Sequence, residues 1–395
     1  ENNIFYTFNI FLIGYLSRPL GSLFLGLYAD QIGRKKMLIF SIVMVGVCTA
    51  IIGLIPSYTM IGIASTILFS FFRILQNISV GGEYISSIAY LIESTNKNKR
   101  GFYGSWVSVG FNLGSLLASL IVFLTIYLIE KNLVPQWSWR IIFLLAIFGT
   151  FVGLWIRQSL PESLGFILEN SNTQIRTKRE IFGAALKLIK KYPSRCASII
   201  TIAWLGVAQT SALFVYSPIH MTTINHFSQT QALSLNTICL FFLILLIPLF
   251  GYLSDYYSKI KLLFISSISF LILSIPYFWF LSYGTYLQII ILKLFFCVPS
   301  ACFYAIAPVL ITETFPIKIR CTSLALIYQI TASLAAGLTP IIMFYIVAHS
   351  SNRLYSPCYY LIVSVLFGFI GMYLLNKDKT SPIEMTEYKY TTQYT

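Results

Sequence analysis

Long apolar runs separated by short polar segments repeat along the chain, interrupted once by a longer polar stretch at 158–195. A helix needs about 20 apolar residues to cross the hydrocarbon core of a bilayer. The pattern predicts eleven spans, near 4–29, 38–56, 61–92, 102–129, 140–157, 196–218, 233–253, 262–282, 286–312, 321–348 and 358–375. We therefore predict an all-α polytopic membrane protein. Its parts are an N-terminal bundle of five spans (1–157), a central loop (158–195), a C-terminal six-helix bundle (196–375) and a polar tail (376–395).

Basic residues are distributed unevenly between the loops. Most of the 27 Lys and Arg residues lie at 34–36, 97–100, 157–195, 259–261, 318–320 and 377–389. The opposite loops hold little beyond Lys131 and Arg353. Lys and Arg in short connections mark the cytoplasmic side of a membrane protein. The pattern therefore predicts that these loops, the central loop and the C-terminus are cytoplasmic, and the net charge of +14 is a topology signal.

The composition excludes the soluble classes of protein. Hydrophobic residues make up 57% of the chain and charged residues 10%, whereas a soluble domain has about 25% charged residues. A soluble enzyme and a nucleic-acid-binding module are thereby excluded. The seven cysteines show no paired spacing, and the three histidines have no carboxylate close by in the sequence. We therefore expect neither a metal site nor a catalytic centre.

Two landmarks recur in the two halves of the chain. The segment GLYADQIGRKKM at Gly26–Met37 is echoed by GYLSDYYSKIKL at Gly251–Leu262, each at the exit of a span into a basic loop. Two spans later, an acid precedes an arginine by seven residues, at 93–100 and at 313–320. Internal repeats of this kind are typical of secondary transporters, whose substrate site lies between the halves near the membrane midplane.

The repeat is incomplete at its start. The second half has two predicted spans before Asp255, whereas the first half has room for one before Asp30. If the halves are equivalent, one helix is missing at the N-terminus, and the complete molecule has twelve spans with both ends in the cytoplasm.

Several segments carry a family resemblance. Gly26–Met37 resembles the loop signature G-x-x-x-D-x-x-G-R-[KR] of the major facilitator superfamily. Other segments are similar to the metabolite:proton symporter family within it, and most of all to the bacterial proline/betaine transporters. They are RPLGSLFLG (Arg18–Gly26), SVGGEY (Ser79–Tyr84), KRGFYGSW (Lys99–Trp106), WSWRIIF (Trp137–Phe143), LPES (Leu160–Ser163), ETFPIKIR (Glu313–Arg320) and AAGLTP (Ala335–Pro340).

The resemblance implies the major facilitator fold, two six-helix bundles around a central site, here without the first helix. It implies proton-coupled import of a small zwitterionic osmolyte such as proline or glycine betaine by alternating access. The proton gradient would be the energy source, with no bound cofactor. The partners would be the solute, protons and the lipid bilayer, with no nucleic acid, and the setting the inner (cytoplasmic) membrane of a bacterial cell. We expect a monomer.

Two alternatives stay open. Relatives in this family also carry organic acids such as α-ketoglutarate, citrate or shikimate, and an excess of positive charge inside the spans favours such a substrate. If the first helix is lost from the protein itself, the chain would instead be a truncated remnant that does not transport.

Charged side chains inside spans are costly, so each is a candidate for the substrate pathway. The clear cases are Arg18, Arg73, Glu83 and Lys293. A guanidinium can hold a carboxylate with two parallel hydrogen bonds, which makes Arg73 the first choice for substrate contact. Gln76 lies on the same helical face three residues later.

The other three charges each have two interpretations. Glu83 is a candidate proton-coupling group or a structural hydrogen-bonding partner of a neighbouring helix. Arg18 either pairs with Glu83 or lines the pathway, and Lys293 either lines the cavity or extends to an interface.

A quaternary ammonium would also call for aromatic rings, which Trp106, Trp204, Phe214, Tyr216 and Tyr328 could supply.

A second group of residues lies at the predicted cytoplasmic helix ends. In the superfamily such residues form a charge network that latches one conformation, and the resemblance implies the same here. In the first half they are Asp30, Gly33, Arg34, Lys35, Glu93 and Arg100, and in the second half Asp255, Glu313 and Arg320.

Overall fold

The computed structural model describes residues 2–163, 166–167, 177–223, 225–350 and 356–377, with side chains from Gly14 onward. Throughout these residues, every regular element is a helix. The main helices are α1 (Asn2–Ile32), α2 (Arg34–Leu54), α3 (Ile63–Glu93), α4 (Arg100–Glu130), α5 (Trp139–Ser159), α6 (Lys178–Lys191), α7 (Pro193–Thr223), α8 (Gln229–Tyr256), α9 (Lys259–Tyr283), α10 (Tyr286–Glu313), α11 (Ile317–His349) and α12 (Ser356–Lys377).

Each predicted span coincides with one long helix. Within the described ranges, ten helices are long and apolar enough to cross a membrane, namely α2–α5 and α7–α12. α1 is 31 residues long, and the total of eleven spans stays a prediction. The outer surface of the bundle is apolar, and Phe148, Phe151 and Trp155 on α5 are all exposed, as expected where helices face lipid.

Two helix crossings join the halves. In the first half, α3 packs between α1 and α2, and α2 packs against α5; in the second half, α10 packs against α8 and α9, and α12 against α7 and α9. α4 packs mainly against α8, and α1 packs against α11. The sequence repeat makes α1 equivalent to α8 and α4 equivalent to α11. The two crossings are therefore two copies of one contact.

Local sequence signals explain where several helices begin. Capping boxes start α6 at Thr177, α8 at Ser228 and α10 at Thr285, each with the matching Glu or Gln three residues later. These side chains satisfy backbone groups that have no partner inside the helix. Gly33 separates α1 from α2 with a φ of 107°, a conformation that is readily available only to glycine.

The predicted central loop contains a helix that hydropathy did not indicate. α6 buries Ile181 and Ala185 and contacts α1 as well as the start of α11. The Lys178 ammonium lies 3.5 Å from the centroid of the Tyr28 ring. α6 therefore spans the boundary between the halves at the end of the bundle that carries the basic loops, which we call the basic end. The domain boundaries predicted around it stay a prediction.

Close packing of α1 against α3 generates a stability prediction. A Cβ atom at Gly81 would overlap the carbonyl oxygen of Arg18, whereas a Cβ at Gly110 on α4 would meet nothing within 4 Å. We expect Gly81→Ala to destabilise the fold by about 1–3 kcal/mol, the usual cost of overpacking. Gly110→Ala should be neutral or stabilising, because alanine is the better helix former by about 0.5–1 kcal/mol.

The measurement is the thermal midpoint of each purified variant in one detergent. A clearly lower midpoint for Gly81→Ala than for Gly110→Ala is expected, and equal midpoints would contradict the close crossing.

Candidate functional site

A cavity of about 340 Å³ lies between the two halves. Its wall draws on helices of both halves, with Arg18 on α1, Tyr84 on α3, Asn112 on α4, Phe214 on α7, Asn236 on α8 and Tyr328 on α11. Pockets of this size, built from apolar surface and a few convergent polar groups, are typical small-molecule sites. The cavity lies where the sequence repeat predicted a substrate site.

Arg18 is the only charged side chain among the described residues that line the cavity. Its Nε donates a hydrogen bond to Asn77 Oδ1 at 2.9 Å, and its guanidinium carbon lies 4.1 Å from the centroid of the Tyr15 ring. These contacts hold the guanidinium in one orientation. Of the two options for Arg18, the structure shows the one in which it lines the cavity.

Aromatic rings form much of the remaining wall. Tyr84 and Tyr328 stack with their ring centroids 5.7 Å apart, and Phe111 meets the Tyr84 ring edge-on. Of the five aromatic candidates from the sequence, Phe214 and Tyr328 line the cavity. Trp106 is exposed on the outer surface, Trp204 is half-buried, and Tyr216 is buried inside the second half.

Arg73 and Gln76 do not line this cavity. Arg73 Nη1 donates to Gln76 Oε1 at 2.8 Å, and Gln76 Nε2 donates to Thr49 Oγ1 at 2.6 Å. Asn77 links the two arginines, since its side chain accepts from Arg18 and donates to the Arg73 carbonyl oxygen. The structure thus places Arg73 in a polar network within the first half, behind Arg18.

Glu83 pairs with a residue that sequence reasoning missed. Its carboxylate accepts from Arg157 at the end of α5, and Arg157 also donates to the carbonyl oxygen of Leu38. Glu83 does not line the cavity. The observed pair joins α3 to α2 and α5, which is the structural alternative for Glu83.

Lys293 is fully buried on α10. Its Nζ donates to Asn236 Oδ1 at 3.1 Å and lies 5.3 Å from the centroid of the Phe214 ring. Asn236 and Phe214 both line the cavity, and Lys293 itself does not. Lys293 therefore lies one layer of side chains behind the cavity wall.

Four charged side chains form a buried network at the basic end. Arg34 Nη2 lies 3.2 Å from Asp30 Oδ1, and Arg34 Nε lies 3.1 Å from Glu93 Oε2. Arg320, from the second half, donates through Nη1 to Glu93 Oε1 at 3.1 Å. The side chains of Arg34, Asp30 and Glu93 are at most 1% exposed. Glu93 thus joins the two halves through one carboxylate.

Asp30 also caps a helix of the other half. Its carboxylate accepts backbone N–H groups from Cys321 and Thr322 at the start of α11, at 3.3 and 2.8 Å, and the Thr322 hydroxyl at 2.8 Å. A carboxylate at a helix N-terminus satisfies unpaired donors and interacts favourably with the helix dipole.

The equivalent residues repeat this arrangement at the other crossing. Asp255 accepts the backbone N–H groups of Gly101 and Phe102 at the start of α4, at 2.6 and 2.9 Å. The carboxylate of Glu313 lies 2.6 Å from Lys259 Nζ and 3.8 Å from Arg100 Nη1. These last three side chains are 19–24% exposed, so the second network is the more hydrated one.

The observed ion pairs differ from those that the sequence spacing suggests. Glu93 and Arg100 are seven residues apart, as are Glu313 and Arg320, but each acid pairs with the arginine of the other half. The reason is geometric. Each arginine begins a helix that crosses the boundary between the halves, and its side chain meets the acid at the end of the facing helix.

A further acid, Glu162, contacts the start of α2 next to Gly33 and Lys35. Glu162 accepts the backbone N–H groups of Arg34 and Lys35 at the start of α2, at 2.9 and 3.2 Å. Lys35 Nζ donates to the Gln158 carbonyl oxygen at 2.8 Å. Ser163 donates to Glu93 at 2.9 Å. The LPES segment was the available signal, since it contains both Glu162 and Ser163.

Comparison with known proteins agrees with this geometry. Residues 6–299 and 203–387 match the sequence profile of the Major Facilitator Superfamily. A proline/betaine transporter from Escherichia coli (strain K12) is 30% identical over 378 residues, which cover 95% of this chain and 75% of the relative. A glycine betaine/proline/ectoine/pipecolic acid transporter from Dickeya dadantii (strain 3937) is 29% identical, with the same coverage. A shikimate transporter from Escherichia coli (strain K12) is 27% identical over 94% of this chain and 84% of its own length.

Solved structures show the same fold. The proton:xylose symporter XylE, bound to 6-bromo-6-deoxy-D-glucose, superposes with a TM-score of 0.74 at 17% identity, over 95% of this chain and 87% of that one. A human organic anion transporter gives a TM-score of 0.63 at 15% identity, over 92% of this chain and 83% of its own. The chain therefore belongs to the Major Facilitator Superfamily and is a multi-pass membrane transporter.

Proposed function

We propose that this transporter imports a small zwitterionic osmolyte, such as proline or glycine betaine, together with protons. The observation that carries the proposal is the chemistry of the central cavity. Arg18 presents a guanidinium, no carboxylate lines the described wall, and aromatic rings face the same space. A carboxylate would bind Arg18, and a quaternary or secondary ammonium would bind against the rings.

The names of the relatives support the same class of solute. Proline, betaines, ectoine and pipecolic acid each combine a carboxylate with a cationic nitrogen. A cavity with one fixed cation and aromatic walls offers a partner to both groups. The bacterial source of these relatives supports an inner-membrane location.

The basic end would face the cytoplasm, because it carries most of the Lys and Arg residues of the loops, and such residues mark the cytoplasmic side. In the structure this end is joined by the two charge networks. Alternating access would require these networks to break, so we assign them the role of a cytoplasmic latch.

An organic acid is the second candidate substrate. The described lining holds one positive charge and no negative one, which also suits an anion without an ammonium group. A shikimate transporter is among the relatives.

Uptake assays decide between the two substrate classes. Proteoliposomes containing the chain, with an imposed inward proton gradient, should accumulate labelled proline or glycine betaine, and a protonophore should abolish the accumulation. A form that carries the coding sequence upstream of Glu1 is assayed beside it, to test whether a preceding helix is required. Accumulation of shikimate or α-ketoglutarate in place of both osmolytes would reject the zwitterion and favour the organic acid.

Arg18 and Arg73 can be compared directly as carboxylate-binding residues. We expect Arg18→Gln to weaken solute binding by about tenfold or more, since about 1.4 kcal/mol is tenfold and a charge-assisted bond contributes more than that. Arg73→Gln serves as the matched control and should change binding by less than about threefold, because Arg73 does not line the cavity. The measurement is solute affinity by binding of labelled solute, and a larger loss for Arg73→Gln would reverse the assignment.

Asp30→Asn tests the latch. The substitution removes the negative charge that pairs with Arg34 and leaves Glu93 as the acid of the buried network. It also weakens the cap on α11, while the residues that line the cavity stay the same. Maximal uptake rate should fall by about tenfold, the equivalent of about 1.4 kcal/mol, with solute affinity nearly unchanged. Asp255→Asn, in the more hydrated network, should have the smaller effect. Equal losses of rate and affinity in Asp30→Asn would be incompatible with a latch role.

A further inference from the structure

Lys293 is a buried amine that has no counter-ion in the described part of the chain. Its one described hydrogen bond goes to a neutral amide, that of Asn236, and no carboxylate of the described residues forms an ion pair with it. The two acidic residues of α7–α12 are Asp255 and Glu313, both at the basic end. Glu313 follows Lys293 by 20 residues on the same helix, which is about 30 Å.

Among the residues that the structure describes, the surroundings of Lys293 hold no fixed negative charge. Beside Asn236 and Phe214, they include the thiols of Cys239 on α8 and Cys297 on α10. Tyr277 on α9 lies near the same two thiols and donates to the Ser217 hydroxyl at 2.8 Å. α4 also packs against α10, and its charged residues are confined to its two ends. A charge at this depth is costly to bury unless an opposite charge accompanies it.

Lys293 is separated from the cavity by one amide and one ring. Asn236 and Phe214 line the cavity on their other side. Phe214 belongs to a π-helical turn at Ala212–Tyr216, and such turns are frequent at functional sites. A lysine has a flexible four-carbon stem with a rotatable head, so Nζ would reach the cavity surface if Asn236 and Phe214 moved aside.

The tyrosines of the cavity wall, Tyr15, Tyr84, Tyr304 and Tyr328, carry neutral phenols, which do not take up a further proton near neutral pH. The other acidic and basic groups considered are engaged elsewhere, cannot exchange a proton or lie away from the cavity. Glu83 pairs with Arg157, and Asp30 and Glu93 belong to the buried network. Arg18 lines the cavity, but a guanidinium does not release its proton in proteins. His220 is buried beside Tyr216 and is absent from the cavity wall.

We propose that Lys293 carries the coupling proton and that the carboxylate of the transported solute is its counter-ion. The inference rests on the proposed function and adds the side chain that links solute transport to proton transport. A proton from the outer solution forms an N–H bond with the lone pair of Nζ when the carboxylate enters the cavity. The resulting pair of Lys293 and carboxylate has no net charge, beside the permanent charge of Arg18 in the same cavity. After the carboxylate leaves toward the cytoplasm, the ammonium is again uncompensated, the N–H bond breaks, and the proton passes to cytoplasmic water.

Thermodynamic linkage makes this coupling reciprocal. If a carboxylate favours proton binding at Nζ, then the proton favours carboxylate binding by the same factor. An anion or zwitterion and a proton therefore bind together, without a carboxylic acid of the protein.

Lys293→Arg separates solute binding from proton coupling. Arginine keeps a positive charge but cannot exchange its proton at physiological pH. We expect this variant to retain exchange of labelled for unlabelled solute at equal pH within about threefold, while accumulation driven by a proton gradient falls by about tenfold or more. Lys293→Met should lose affinity for the solute as well. Lys131→Arg, at the exposed end of α4, is the control and should match the unaltered protein in both assays.

A binding titration tests the inference without transport. Addition of proline, glycine betaine, shikimate or α-ketoglutarate to the purified protein in weakly buffered detergent should make the solution more alkaline, by about one proton per bound molecule. Lys293→Arg should bind the same compound without proton uptake, and His220→Gln should behave as the unaltered protein does. Thermal midpoints confirm that each variant is folded.

The outcomes are distinguishable. If the osmolytes are not bound but an organic acid is, with proton uptake that depends on Lys293, the proposed substrate fails and the role of Lys293 stands. Gradient-driven accumulation by Lys293→Arg at the unaltered level would overturn the inference, as would proton uptake that persists in this variant. So would the absence of proton uptake with all four compounds.

Discussion

The arrangement of the two halves depends on carboxylates that each half places over a helix start of the other. Asp30 accepts backbone N–H groups of α11, and Asp255 accepts those of α4. A helix N-terminus offers unpaired donors and a positive partial charge. Each acid therefore makes a favourable contact and also fixes where the facing helix begins relative to its own helix. Because the exchange occurs at both crossings, it sets how the halves meet at the basic end, and the central cavity is the space left between them.

Close helix approach is the prerequisite for this exchange. Glycine precedes each acid by one helical turn, Gly26 before Asp30 and Gly251 before Asp255. A Cβ at Gly26 would lie 3.1 Å from the Cys321 carbonyl oxygen, and one at Gly251 would lie 2.9 Å from that of Gly101. Small residues let backbones meet at such distances. The glycine and the acid therefore form one unit, in which the first residue brings the helices together and the second joins them.

The sequence was sufficient for the long apolar helices and for the repeat, because hydrophobic length and an echoed motif are local properties. It was less informative about which charged side chains pair with each other. Glu83 meets Arg157, 74 residues away, and Glu93 meets Arg320 across the molecule, pairings that depend on packing and not on spacing. Arg73 and Arg18 both looked like pathway residues, and only the packing of α1 on α3 shows which of them reaches the cavity. α6 escaped notice because its apolar face is narrow and its other positions are polar, so a hydropathy window averages the two.

α6 has a consequence for the connection between the halves. It belongs to the segment that joins them, yet it rests on α1 and on the start of α11 at once, so separation of these two helices leaves it in contact with one of them at most. Its return is an intramolecular event, governed by an effective concentration that the chain itself imposes. Loop-closure entropy varies slowly with length, by about 0.6 kcal/mol per doubling. In the proposed alternating access, the stability of the closed basic end would therefore depend on the residues that α6 buries, Ile181 and Ala185, more than on the length of the linker that carries them.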